Sequence, residues 1–146
     1  AGDAVTLYEA LPHEPPTAGL AAALQAHGIR VLMPVTEPDL DLDWTDAADP
    51  RGGPLGRHAI GSVRLVLAPG LAVDRAGSRL GQGGGCYDRA LPRRARGVPV
   101  VVVLHPGELS DGPLPHDPHD VPVDGVVTAE GMLWLRPPVS PPRAPG

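Results

Sequence analysis

Four consecutive valines, Val100–Val103, inside the apolar run 98–104, constrain this chain more than any other stretch. Written as a strand, such a run sends apolar side chains to both faces of a sheet, so both faces must be covered. Continuous runs of this kind mark parallel strands held between layers rather than half-solvated antiparallel ones. Residues 63–68 read the same way, and 4–8, 30–35 and 123–127 complete a set of five strand candidates. A helix is expected between the first two, with Thr17 as N-cap, Leu20 and Leu24 on one face and Gly28 as the stop. Strand–helix–strand order implies a right-handed crossover and an α/β sheet. A second helix is expected to open near Gly85 and Cys86 and to run to Leu91, where Pro92 limits it. Between Pro38 and Gly61 the signals are of loop and turn, with Asp39, Asp41 and Asp43 along the way.

Composition narrows the function classes. The chain has 146 residues, no Phe and a formal charge of −5, so its core is built from Val, Leu and Ala. All 12 basic residues are Arg. A mildly acidic domain with no basic run is not a general nucleic-acid binder. No apolar run approaches the roughly 20 residues of a membrane helix, and residues 1–6 have no signal-peptide character. The one cysteine, Cys86, excludes an internal disulfide framework and fits a reducing, cytoplasmic setting. Gly (19) and Pro (20) are abundant, but most punctuate apolar segments. The prolines of 137–146 read as a disordered or extended tail after a single domain spanning 1–136. The chain opens without Met, directly on a strand-like segment, which reads as a fragment of a longer protein.

The most informative stretch runs from Leu65 to Leu91. A buried strand ends at Ala68, followed by Pro69-Gly70. Then come Arg79-Leu80-Gly81-Gln82-Gly83-Gly84-Gly85 and a short helix carrying Tyr87, Asp88 and Arg89. Glycines before a helix let backbone N–H groups approach an anion without Cβ interference. Arg79 could grip phosphate oxygens in a bidentate manner, and Asp88 could hold Mg²⁺ beside them. A plain glycine linker is the competing reading. The loop is no Walker A motif, since the required Lys is missing.

These residues resemble the 5-formyltetrahydrofolate cyclo-ligases, also called methenyltetrahydrofolate synthetases. The family signature, P-G-x-A-F-D, a spacer and R-L-G-x-G-G-G-Y-Y-D-R, is matched by Pro69-Gly70-Leu71-Ala72-Val73-Asp74 and by Arg79 through Arg89. Tyr8, Glu14 and Thr17 resemble its Y-x(5)-E-x-x-T segment, and Val31-Leu32-Met33-Pro34 its following strand. Leu114 through Asp124, with Thr128 and Glu130, resembles its last motif. The resemblance extends from about Ala4 to Glu130.

The resemblance implies a Rossmann-like three-layer α/β sandwich, its mostly parallel central sheet flanked by helices, with ligand loops at the strand C-terminal ends. It implies conversion of 5-formyltetrahydrofolate and ATP, with Mg²⁺, to 5,10-methenyltetrahydrofolate, ADP and phosphate. Phosphorylation of the formyl oxygen would be followed by ring closure through N10. Arg79 and Tyr87 would be catalytic. Arg79, Gly81, Gln82, Gly83, Gly84, Gly85, Cys86 and Tyr87 would bind the nucleotide. Glu14, Gln82, Gly84 and Cys86 would contact the folate, and Asp88 and Asp120 would hold Mg²⁺. A monomer is expected, with no nucleic-acid or membrane partner. The chain departs from the family in three ways. It lacks the N-terminal helical region with its basic segment, Cys86 replaces a Tyr, and Val73 replaces a Phe. A non-catalytic folate- or nucleotide-binding homologue is the alternative.

Simpler readings stand beside these. Asp88 could be a surface residue paired with Arg89 or Arg93. The His116-Asp117-Pro118-His119-Asp120 run could bind Zn²⁺, although Pro118 breaks a helix that would align the pair. Cys86 could be a nucleophile if a His stood near it. The other histidines, His13, His27, His58 and His105, read as surface or turn residues. Trp44 and Trp134 read as core or rim packing, and Trp44 could instead line a folate pocket.

Overall fold

The computed structural model describes residues 3–81, 85–116, 118 and 120–136. In chain order the elements are β1 (Ala4–Thr6), α1 (Ala18–Ala26), β2 (Arg30–Thr36), β3 (Leu42–Asp46), β4 (Leu65–Pro69), β5 (Ala72–Asp74), β6 (Arg79–Leu80), α2 (Cys86–Ala90), β7 (Val100–Val103), β8 (Leu109–Ser110), β9 (Gly125–Thr128) and β10 (Gly131–Trp134). Short 3-10 turns lie at Pro50–Gly52, Arg57–Ser62 and Leu91–Arg93. A seven-stranded sheet has the order β10-β9-β7-β4-β1-β2-β3. The five inner strands are parallel, while β3 and β10 join the two edges antiparallel. A small sheet, β6-β5-β8, stands beside it.

The expected buried strands are the two central ones. β4 and β7 pair in parallel, Val66 opposite Val100 and Ala68 opposite Val102. Val66, Ala68, Val100 and Val102 pack into one apolar cluster with Trp44, Tyr87, Ala90 and Leu91. Leu67, Val101 and Val103 face the other way and pack with Val5, Leu7, Tyr8 and Val31. One face is thus covered by α2 and the turns around it, and the other by α1. The mixed α/β architecture and its mostly parallel sheet match the reading of the sequence.

Several local expectations are corrected. The stretch from Pro38 to Gly61 is not all loop, because it contains β3. Leu42 and Trp44 are buried there while Asp43 and Thr45 are half-buried, the alternation of an edge strand. The acidic residues that suggested a loop have structural work. Asp43 accepts hydrogen bonds from the N–H groups of Trp44 (2.7 Å) and Gly56 (2.8 Å). Thr17 precedes α1, but its hydroxyl donates to the Tyr8 carbonyl (2.6 Å) instead of capping the helix. Gly28 ends the helix region in the left-handed conformation, φ +76°. Pro92 does not terminate α2 abruptly; it sits in the 3-10 turn that continues from it. Trp44 is fully buried and meets Tyr87 edge to face, ring centroids 6.5 Å apart, so it packs the core. Trp134 is exposed on β10, at the rim of an apolar groove of about 440 Å³ that Leu20, Leu24, Leu67 and Val101 also line. Among the described residues no helix is long and apolar enough to cross a membrane.

The β2–β3 hairpin is fastened to the α2 face by a charge cluster. Asp41, buried at the hairpin's end, receives two hydrogen bonds from Arg93 (2.7 and 2.6 Å) and a third from Arg57 (3.2 Å). Arg57 also bonds Glu37 and grips both oxygens of Asp39 (3.0 and 2.9 Å). A carboxylate so surrounded is held in its charged form.

The Arg93 hydrogen bonds hold the Asp41 carboxyl well below the usual carboxylate range. Its folded pKa is therefore below the unfolded value of about 3.9. The sign follows: the clamp stabilises the fold above that pH, and the contribution is lost as pH falls below it. Asp41→Asn should cost about 2 kcal/mol in denaturant unfolding at neutral pH. The gap from wild type should narrow between about pH 4 and pH 2; a gap independent of pH would show that the charge of Asp41 contributes nothing.

Candidate functional site

The C-terminal ends of β1, β2 and β4 open onto a cavity of about 230 Å³. It is lined by Tyr8, Leu11 and Glu14 after β1, Pro34 and Thr36 of β2, and Leu42 at the start of β3. Pro69, Gly70, Arg79, Gly81, Gly85, Cys86 and Tyr87 close the other side. Open parallel sheets place ligands at this end. Residues far apart in sequence, Glu14, Arg79, Gly81, Gly85, Cys86 and Tyr87, are therefore brought to one cavity.

Arg79 is nearly buried, with its side chain 8% exposed. Its Nη1 donates to the Pro69 carbonyl (3.1 Å), and Nη2 lies 3.8 Å from Asp88 Oδ2. The guanidinium sits 5.7 Å from the centre of the Tyr87 ring, a cation–π contact. Its Nε is buried with no hydrogen-bond partner among the described residues, and so are the hydroxyls of Tyr8 and Tyr87. Buried donors without acceptors are costly. Three such donors on residues lining one cavity suit an oxygen-rich ligand.

Burial pushes both phenols up, so each remains a protonated donor at neutral pH. Glu14 adds to the shift of both, which places its carboxylate near the two hydroxyls. Glu14 is itself buried, and its Oε1 accepts the Leu11 N–H (2.7 Å). That bond, with Glu14 N–H to the Leu11 carbonyl (2.9 Å), shapes the loop after β1.

Asp88 turns toward Arg79, not Arg93, which is committed to Asp41. The Val121 N–H donates to Asp88 Oδ1 (3.3 Å), so the segment carrying Asp120 abuts Asp88. The two residues singled out as Mg²⁺ ligands are thus on adjoining segments. Among the described residues no three His, Cys, Asp or Glu side chains gather as a metal cluster. Two carboxylates nevertheless suit Mg²⁺, which commonly takes one or two from protein and completes its shell with phosphate oxygens and water. Asp117 and His119 lie outside the described residues, as do Gln82, Gly83 and Gly84. Among the described residues no His lines the cavity beside Cys86.

Sequence reasoning undervalued two residues. Asp74, the last residue of the P-G-x-A-V-D stretch, is buried. It accepts N–H bonds from Ala76 (3.0 Å), Ser78 (2.9 Å) and Leu114 (2.9 Å), and the Leu114 bond leads in holding it below the usual carboxylate range. It sets the turn that delivers Arg79 and anchors the loop leading to Asp120. Tyr8 is the other; it entered only as the last residue of a strand candidate and one letter of a motif. The apolar strand before it and the Glu14 after it were the available signal. α2 is a five-residue helix opened by Gly85 at φ +69°, so it offers a first turn of N–H groups rather than a sizeable dipole.

The profile of the 5-formyltetrahydrofolate cyclo-ligase family matches residues 2–129. The 5-formyltetrahydrofolate cyclo-ligase of Mycolicibacterium smegmatis is 35% identical over 153 aligned positions, covering 92% of this chain and 78% of that protein. The mitochondrial 5-formyltetrahydrofolate cyclo-ligase of Arabidopsis thaliana is 42% identical over 84 positions, covering 51% of this chain and 30% of that protein. The NMR structure of Aquifex aeolicus 5,10-methenyltetrahydrofolate synthetase superposes with a TM-score of 0.72 at 25% identity, over 93% of this chain and 73% of that one. The 5,10-methenyltetrahydrofolate synthetase from Mycoplasma pneumoniae gives a TM-score of 0.70 at 23% identity, over 85% and 71% of the two chains, a likeness of fold.

A side chain at Gly70 should disturb this site directly. A Cβ there would lie 2.9 Å from Val102 Cγ1 and 3.3 Å from Arg79 Cγ. Val102 is fixed in the sheet, so the backbone at Gly70 must shift and Arg79 with it. Gly70→Ala should lower stability by about 1–2 kcal/mol, read from the thermal midpoint. Adding Val102→Ala should recover part of the loss more than additively; strict additivity would mean that the clash does not form.

Proposed function

This chain belongs to the 5-formyltetrahydrofolate cyclo-ligase family, and on that premise we propose that it converts 5-formyltetrahydrofolate to 5,10-methenyltetrahydrofolate at the expense of ATP. The observation that carries the reading is the cavity itself. The family's signature residues line it, and three buried donors there await an oxygen-rich ligand.

In this reading the γ-phosphoryl group passes from ATP to the formyl oxygen, and ADP departs. N10 attacks the formyl carbon, the N10 proton goes to solvent, and the carbon–oxygen bond breaks to release phosphate. The protein forms no covalent bond. It holds the two substrates in line, neutralises charge and keeps water away. Arg79 supplies positive charge to the transferring group, and its cation–π contact with Tyr87 fixes its plane. Gly81, Gln82, Gly83, Gly84, Gly85, Cys86 and Tyr87 would bind the nucleotide. Glu14, with Gln82, Gly84 and Cys86, would bind the folate, its carboxylate accepting from the pterin N–H groups. Asp88 and Asp120 would hold Mg²⁺, which when bound neutralises phosphate charge. Asp88 would then exchange its contact with Arg79 for the cation. A monomer in a cytoplasmic setting completes the reading, with Cys86 as a free thiol.

Mixing the protein with 5-formyltetrahydrofolate and Mg-ATP should raise the ultraviolet absorbance of methenyltetrahydrofolate, and omission of ATP or Mg²⁺ should abolish the rise. Binding of both ligands without turnover would favour a non-catalytic homologue. Asp88→Asn should lower turnover by at least about ten-fold while leaving the circular dichroism spectrum and thermal midpoint near those of wild type. Full activity in that variant would remove Asp88 from the cation site.

A further inference from the structure

The residues of the glycine loop do not exhaust the groups that face the cavity. Tyr8 lies beyond the end of β1, on the Glu14 side. It belongs to the buried apolar cluster that also holds Leu7, Val31, Leu67 and Val103, and the residue is 4% exposed. Its backbone is fixed as well, since its carbonyl accepts the Thr17 hydroxyl at 2.6 Å. A ring held so firmly has little freedom to seek a partner for its hydroxyl. That hydroxyl is buried and has no hydrogen-bond partner among the described residues. Yet a buried phenol usually finds one. A Phe would pack the same apolar surroundings without leaving a polar atom unsatisfied.

Among the described residues nothing supplies the acceptor, and the cavity that Tyr8 lines is open to a ligand that can. The phenol stays protonated at neutral pH, since burial and the charges of Glu14 and Glu108 all oppose its ionisation. A protonated hydroxyl without an acceptor donates to oxygen or to an unprotonated ring nitrogen. On the Glu14 side of the cavity the folate, rather than the nucleotide, is the substrate to be met.

We propose that Tyr8 is a substrate-binding residue whose hydroxyl, beside Glu14 in the same cavity, donates a hydrogen bond to a carbonyl oxygen of the bound folate. The inference rests on the folate reading given above and adds to it a donor outside the glycine motif. The carbonyl is either that of the formyl group or that of the pterin ring, the two having the same hydrogen-bonding chemistry.

The test is Tyr8→Phe, with 5-formyltetrahydrofolate and tetrahydrofolate as probes in calorimetric titrations without ATP, and with the absorbance assay run in parallel. The variant should bind 5-formyltetrahydrofolate about ten-fold more weakly, with an unchanged or higher thermal midpoint in the unliganded protein. A hydroxyl with a structural partner would instead lower the midpoint. Equal loss for both probes assigns the contact to the pterin carbonyl, and loss for the formyl probe alone assigns it to the formyl oxygen. Wild-type affinity in the variant, or a lowered midpoint without ligand, overturns the role of Tyr8. Wild-type binding without turnover would count against the ligase reading while leaving Tyr8 judged by affinity. Failure of the wild type to bind 5-formyltetrahydrofolate at all would overturn both.

Discussion

β4 and β7, the central pair of strands, carry no charged side chain on either face, and everything around them follows from the need to cover both. On one face that need is met by Tyr87, Ala90 and Leu91, which bring α2 and the turn after it down onto Val66, Ala68, Val100 and Val102, with Trp44 of β3 in the same cluster. The helix that closes the core is thus the one whose start carries the glycine loop. Tyr87 belongs to both systems: its ring is core, and its hydroxyl belongs to a residue lining the cavity. Packing and ligand recognition share one side chain, so the site is positioned by the hydrophobic core and not by loops alone.

Polar scaffolding completes what packing begins. Asp74 gathers N–H groups from two segments and aims Arg79 along one and Asp120 along the other. Asp41 fixes the hairpin that supplies Thr36 and Leu42 to the cavity wall. Both carboxylates are buried and fully engaged, as buried charges must be. Neither belongs to the reactive set, yet each determines where members of that set stand.

The parallel sheet was legible because runs such as 98–104 have one sensible physical solution. The gathering of Glu14, Arg79, Cys86 and Tyr87 was legible only through ordered motifs, since spacing along a chain does not say which loops meet. β3 was missed because Asp41 and Asp43 look like loop residues until their partners, Arg93, Arg57 and the Gly56 N–H, are known. Those partners lie 13 to 52 positions away in sequence. The unsatisfied hydroxyl of Tyr8 was equally hidden, because a single letter cannot show whether a phenol has an acceptor. The glycines 83 and 84 and Gln82 rest on sequence alone, as does the nucleotide cradle they would form.

The four valines of β7 are identical in sequence and unlike in circumstance. Val100 and Val102 point into a closed layer in which Trp44 and Tyr87 leave no slack. Val101 points the other way, toward the apolar groove beside α1. Repertoire should therefore alternate along a homopolymeric run. Position 102 is confined to residues no bulkier than Val, whereas position 101 can admit an added methylene that the groove has space to receive. Drift among descendants of this chain would then write a period of two into a segment that now shows none.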